Sequence, residues 1–102
     1  MARRLKLTFK ISRPEGVEII TLQGQYARTL SALVENGSKG ITALELSSWA
    51  LRLSHYVFIL RTEYSLEVEM VREEHDGIAG AGWHGRYFLH TPVTLLLDEE
   101  AA

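Results

Sequence analysis

The chain contains no cysteine. That excludes disulfide staples, thiolate metal sites and a cysteine nucleophile, and it suits a reducing, cytoplasmic setting. No apolar run approaches the roughly 18 residues that a bilayer-crossing helix needs, so no membrane partner is expected. Met1-Ala2-Arg3-Arg4 leads into no long apolar stretch, so no secretory signal is expected either. No serine sits in a nucleophile elbow and no glycine loop resembles a phosphate cradle. His75, Asp76, His84 and His90 are metal-ligand types, but their spacing follows no zinc pattern. These absences predict no catalytic residue, no metal, no cofactor and no small-molecule substrate. Acidic residues are also missing from the first fourteen positions.

What is present suits one globular domain: 102 residues, 46% apolar and 24% charged. The net charge of −2 is unevenly spread. Arg3, Arg4, Lys6, Lys10 and Arg13 form a basic leader, while the remaining six bases and all 13 acids leave the body at a formal −7. That balance is unusual for a nucleic-acid binder, because phosphate neutralisation supplies much of the affinity.

Leu5 to Ile11 alternate apolar and polar, the period of a half-buried strand. Arg13-Pro14-Glu15-Gly16 suits a type I turn, and Val17-Glu18-Ile19-Ile20 suits a returning strand. Residues 1–20 thus read as a β-hairpin, with a disordered basic arm as the alternative. An unpaired edge on this hairpin can pair between chains. Thr21 is placed to cap helix 1, with Leu22, Tyr26, Leu30 and Leu33 at helical spacing and Asn36-Gly37 as its stop. Thr42-Ala43-Leu44-Glu45 has the form of a capping box opening a short helix 2 with Leu44 inward. Helix 3 is expected from about Trp49 or Ala50 to about Thr62, with Leu53, Val57 and Leu60 inside and Arg52, His55, Tyr56 and Ile59 outside. Leu66 to Met70 alternates as a strand, and Glu73 to Gly82 reads as a loose loop. Trp83 to His90 is the return strand and residues 93–97 a last strand, possible partner of the N-terminal hairpin. Residues 21–97 make the domain and 98–102 a frayed tail.

Three helices followed by a hairpin is the winged helix-turn-helix order, an α+β fold, here with an N-terminal β-hairpin. Gly40 to Glu45, Arg52-Leu53 to Leu60-Arg61, Glu74-His75-Asp76-Gly77 and Trp83-His84-Gly85-Arg86-Tyr87 resemble small bacterial and phage winged helix-turn-helix proteins, over residues 21–89. The resemblance implies a DNA-binding transcriptional regulator with Arg52, His55 and Tyr56 in the base-facing positions of helix 3.

On this reading the partners are double-stranded DNA and a second copy of the chain. Lys39 and Thr42 stand at the N-terminus of helix 2, within reach of phosphate. Arg3, Arg4, Lys6 and Lys10 grip the backbone. The competing reading is a protein-interaction module using Tyr56, Phe58 and Ile59, favoured by the body charge and by a wing loop carrying Glu73, Glu74 and Asp76. An acid close to phosphate is repelled by ~1 kcal/mol in high dielectric.

Overall fold

The computed structural model describes residues 4–46, 48–77 and 80–101. The elements run β1 (Arg4–Arg13), β2 (Gly16–Gln23), α1 (Gly24–Asn36), a 3-10 turn (Gly37–Lys39), a second 3-10 turn (Ser48–Arg52), α2 (Leu53–Glu63), β3 (Val68–Gly77), β4 (Gly80–Leu89) and β5 (Val93–Ala101).

Alternation in β1 buries Leu7, Phe9 and Ile11 on one face and turns Lys6, Thr8 and Lys10 to the other. β2 folds back in unbroken register from Arg13↔Gly16 to Lys6↔Gln23. Gly16 takes φ 143 at the turn, a conformation glycine adopts without a Cβ clash. β5 lies antiparallel on the other side of β1, giving the order β2-β1-β5. The expected pairing of the last strand with the N-terminal hairpin is therefore present. The leader is no arm: its strand is the middle of a sheet, because Phe9 and Ile11 are as apolar as any core position and have α1 to pack on. Residues 98–101, read as tail, continue β5.

Thr21 does not cap α1. β2 runs on to Gln23, and the Thr21 hydroxyl lies 3.0 Å from that of Thr8 across the sheet. Two β-branched threonines directly opposed favour strand over cap. Leu22 is accordingly buried from the sheet. The chain enters α1 through Gly24 at φ 61. Ala27, Thr29, Leu30 and Leu33 form the buried stripe of α1, and the Gly37 amide closes it on the Leu33 carbonyl.

The three-helix expectation needs correction: the described residues hold two α-helices. Between them, residues 43–45 form a turn. The Glu45 amide reaches the Thr42 hydroxyl at 3.2 Å as a capping box requires, but no α-helix follows. Ile41 is held in an antiparallel bridge to Tyr87, and the few residues before the next 3-10 turn are too short a run to offset helix nucleation. Leu44 points to solvent at 67% exposed, and Leu46 packs against the core instead.

β3 and β4 pair from Val68↔Leu89 out to Gly77↔Gly80. The stretch expected as a loose loop is thus strand up to Gly77 and again from Gly80. Among the described residues the hairpin reaches the core at its inner end, through Val68, Tyr87 and Leu89. It is joined to the body by the Ile41–Tyr87 bridge, whose two backbone hydrogen bonds are 3.0 and 2.9 Å. One apolar cluster unites β1, both helices and the start of β3.

Candidate nucleic-acid interface

α2 inserts Leu53, Val57 and Leu60 into the core. The 100° step per residue then carries Ser54, Phe58, Arg61 and Thr62 to solvent, with His55, Tyr56 and Ile59 half-buried on the flanks. Arg52 precedes the helix at its N-cap and is exposed. The first turn of α2 has no side-chain cap and no acid, so its amides keep their positive partial charge toward that end.

Tyr56 is not where a base-facing residue belongs. Its ring meets Tyr26 edge-on at 5.6 Å, and with Tyr64 and the β2–α1 corner it lines a cleft of about 510 Å3. Helical position 56 lies only about 60° from the Leu53 direction at 100° per residue, so it flanks α1. His55, stacked edge-on against Tyr56 at 5.9 Å, lies nearer the outer face. Phe58, assigned to a partner interface, is the outward member of the Phe58–Ile59 pair at 59% exposed.

Thr42 is buried, with its hydroxyl engaged by the Glu45 amide, so it braces the turn and does not reach outward. Lys39 is exposed at the end of its 3-10 turn. Lys6 and Lys10 lie on the outer face of the three-stranded sheet, opposite the face that α1 covers. The structure does not bring them together with Arg52. Arg3 lies outside the described residues, and Arg4 is described only as the first residue of β1.

Alternation along the wing sorts its charges onto two faces. On one face Arg86, opposite Val71, holds two carboxylates together. It donates to both oxygens of Glu45 at 3.0 Å, to both oxygens of Glu73, and to the Lys39 carbonyl at 3.2 Å. His84 Nε2 lies 2.8 Å from Glu73 as well. Glu45 and Glu73 are both held below the ordinary carboxylate value, chiefly by hydrogen bonds from Arg86. The same pairs raise the Arg86 guanidinium value.

The other face starts at the core with Val68 and Leu89 and continues outward through Tyr87, Met70, Arg72, Trp83 and the exposed Glu74 opposite it. Arg72 stacks over the Trp83 ring at 4.6 Å. Gly85 keeps this face low: a Cβ there would stand 3.0 Å from Met70 Cγ. Burial raises the Tyr87 hydroxyl, and the Arg61 charge opposes that rise. Arg61, Arg72 and Arg86 are the residues that helix and strand periodicity alone did not single out. Neighbours Arg72 and Glu73 must face opposite ways in a strand, and that parity was the available signal.

A family model described as a winged helix domain matches residues 19–99. The chain belongs to that winged-helix family. The two α-helices and five strands among the described residues fit the assignment, and the β3–β4 hairpin is the wing. No curated protein and no solved structure matches the chain significantly. Among the described residues, no helix is long and apolar enough to cross a membrane.

Proposed function

We propose that this winged-helix domain binds double-stranded DNA as a transcriptional regulator, acting as a homodimer and not as an enzyme. α2 enters the major groove, with Arg52, His55 and Arg61 as its polar contacts and Phe58 against thymine methyls. Lys39 and Arg72 meet phosphate on either side. The observation that carries this reading is the partition of charge on the wing. Glu73 and Glu45 are turned toward Arg86, while Arg52, Arg61 and Arg72 stay exposed. Arg86 thus offsets part of the acidic charge on its own face, while Glu74, opposite Trp83, shares the Arg72 face.

The test is a fluorescence-anisotropy titration with a labelled duplex between 50 and 200 mM salt. Each arginine that neutralises a phosphate lowers the slope of log affinity against log salt by about one. Arg52→Ala and Arg72→Ala are each expected to flatten the slope by about that amount. Wild-type protein without salt-dependent affinity for any duplex at low ionic strength would sink the proposal.

A second reading is supported by Phe58 and Leu44, both well over half exposed. In that reading Phe58 and Ile59 seat a protein partner and no DNA is bound. Phe58→Ser would then abolish association, whereas in the DNA reading it costs affinity without changing the salt slope.

A further inference from the structure

The two edges of the three-stranded sheet differ. β5 has a register irregularity against β1 opposite Thr8 and Phe9, and it ends in Asp98-Glu99-Glu100. Bulges and charge are devices that keep an edge from pairing. β2 has neither. Its register with β1 is unbroken over eight residues, it contains no proline or lysine, and its one charge, Glu18, is paired with Arg13 at 2.8 Å. It also exposes Val17 and Ile19, at 64% and 54%.

Backbone parity shows what this edge offers. The Ser12 amide donates away from β2, to the Pro92 carbonyl. Ser12↔Val17 is therefore a non-hydrogen-bonded pair of the β1–β2 ladder. By alternation Ile19 and Thr21 are equivalent to Val17, with N–H and C=O directed to the outer edge. Among the described residues no strand lies there. The residues with bare backbone groups are thus the same ones that carry the exposed β-branched side chains.

We infer that β2 pairs antiparallel with β2 of a second copy, about a two-fold axis at Ile19, to make a continuous six-stranded sheet. This deepens the homodimer of the functional reading by naming its interface. In this register Ile19 faces Ile19 of the partner subunit and Val17 faces Thr21. Glu18 falls opposite Ile20, so no like charges meet. Three outward-directed pairs then exchange two backbone hydrogen bonds each, and the opposed residues are β-branched, the favoured cross-strand combination. A two-fold operator is the commonest arrangement in soluble oligomers.

The chain has no cysteine, so the register can be read by introduced ones. In a hydrogen-bonded antiparallel pair the facing Cα atoms are about 5.5 Å apart, within disulfide range. Ile19→Cys is expected to cross-link to a covalent dimer under mild oxidation. Val17→Cys is expected to stay monomeric on a denaturing gel, because the two copies of residue 17 are four residues apart along the ladder, about 13 Å. Sedimentation equilibrium of the unmodified chain is expected to give twice the chain mass. Ile19→Pro is expected to give the single mass with unchanged circular dichroism, since its N–H is not used by β1 and edge positions tolerate proline. A monomeric wild type, equal cross-linking at 17 and 19, or an Ile19→Pro dimer overturns the inference. No DNA is present in these measurements, so their failure leaves the DNA reading standing, and the converse.

Discussion

The two hairpins of this domain are held by different physics. The β1–β2 hairpin is gripped from one face, where Leu7, Phe9, Ile11 and Leu22 are buried under the helices, and β1 gains a second neighbour in β5. Among the described residues the wing reaches the core at its inner end, through Val68, Tyr87 and Leu89. Beyond that it relies on the Ile41–Tyr87 bridge and the Arg86 cluster. One hairpin is held by apolar area, which is nearly indifferent to pH and salt. The other is held by position-specific polar contacts. The difference fits a division of labour in which the sheet secures the fold and the wing presents a surface. It also reverses the functional weight of the charges, since the basic leader is structural at its core face and the acidic wing keeps an exposed arginine.

The contrast breaks most severely in the sheet. Phe9 has no exposed surface, and Phe9→Ala is expected to cost ~3–5 kcal/mol through lost transfer energy and the cavity left behind. That is a large share of the roughly 5–15 kcal/mol that holds a domain folded. A denaturant titration reads it as a lower midpoint for the whole molecule. The next effect is at the wing's attachment. Gly40 has φ 71, and a Cβ there would come within 2.7 Å of the Phe88 ring and 2.8 Å of the Tyr87 carbonyl oxygen. Gly40→Ala is expected to cost on the order of 1–3 kcal/mol from backbone strain, with the clash adding to it. Hydrogen exchange should show the loss first at Ile41 and Tyr87, while the amides of β1 stay protected.

The distinction between the hairpins was partly legible in the sequence. Alternation in residues 5–11 announced β1, and Leu53, Val57 and Leu60 announced the inner stripe of α2, because burial on one face imposes a period. Asn36-Gly37 marked the end of α1 through the one residue that suits its φ of 48. What failed lay where tertiary pairing overrides local preference. Thr21 looks like a cap until Thr8 is known to lie across from it. Thr42 to Glu45 looks like a helix start until Ile41 is tied to Tyr87. The glycines at 77, 80 and 82 suggest a loop, yet β3 and β4 stay paired across Glu73, His84 and Arg86. The site suffered in the same way. Helical spacing and the resemblance set Tyr56 outward, yet its angular position puts it against Tyr26.

The charge cluster supplies the finest test of the comparison. Glu45 and Glu73 are held below the ordinary value of 4.5 by Arg86, with His84 adding to the effect on Glu73. A carboxyl whose folded value is depressed contributes stability that is fully present above the unfolded value. It loses that contribution as pH falls through the lower folded value. The wing's hold is therefore expected to be complete at neutral pH and to decline below about pH 4.5. Arg86→Met removes the cause, so the gap in wing protection between wild type and variant should be widest near pH 7. It should close progressively under acid, where both carboxyls are protonated in either protein. Because these groups are partly solvated, the effect on global stability should be smaller than that of Phe9→Ala. The Phe9→Ala loss itself should persist unchanged in size across the same range, since no titrating group contributes to it. Measured by hydrogen exchange and denaturant midpoint at pH 7, 5 and 3.5, a pH-independent Arg86→Met effect would mean that packing of the arginine stem holds the wing. In that case the two hairpins would differ in degree and not in kind.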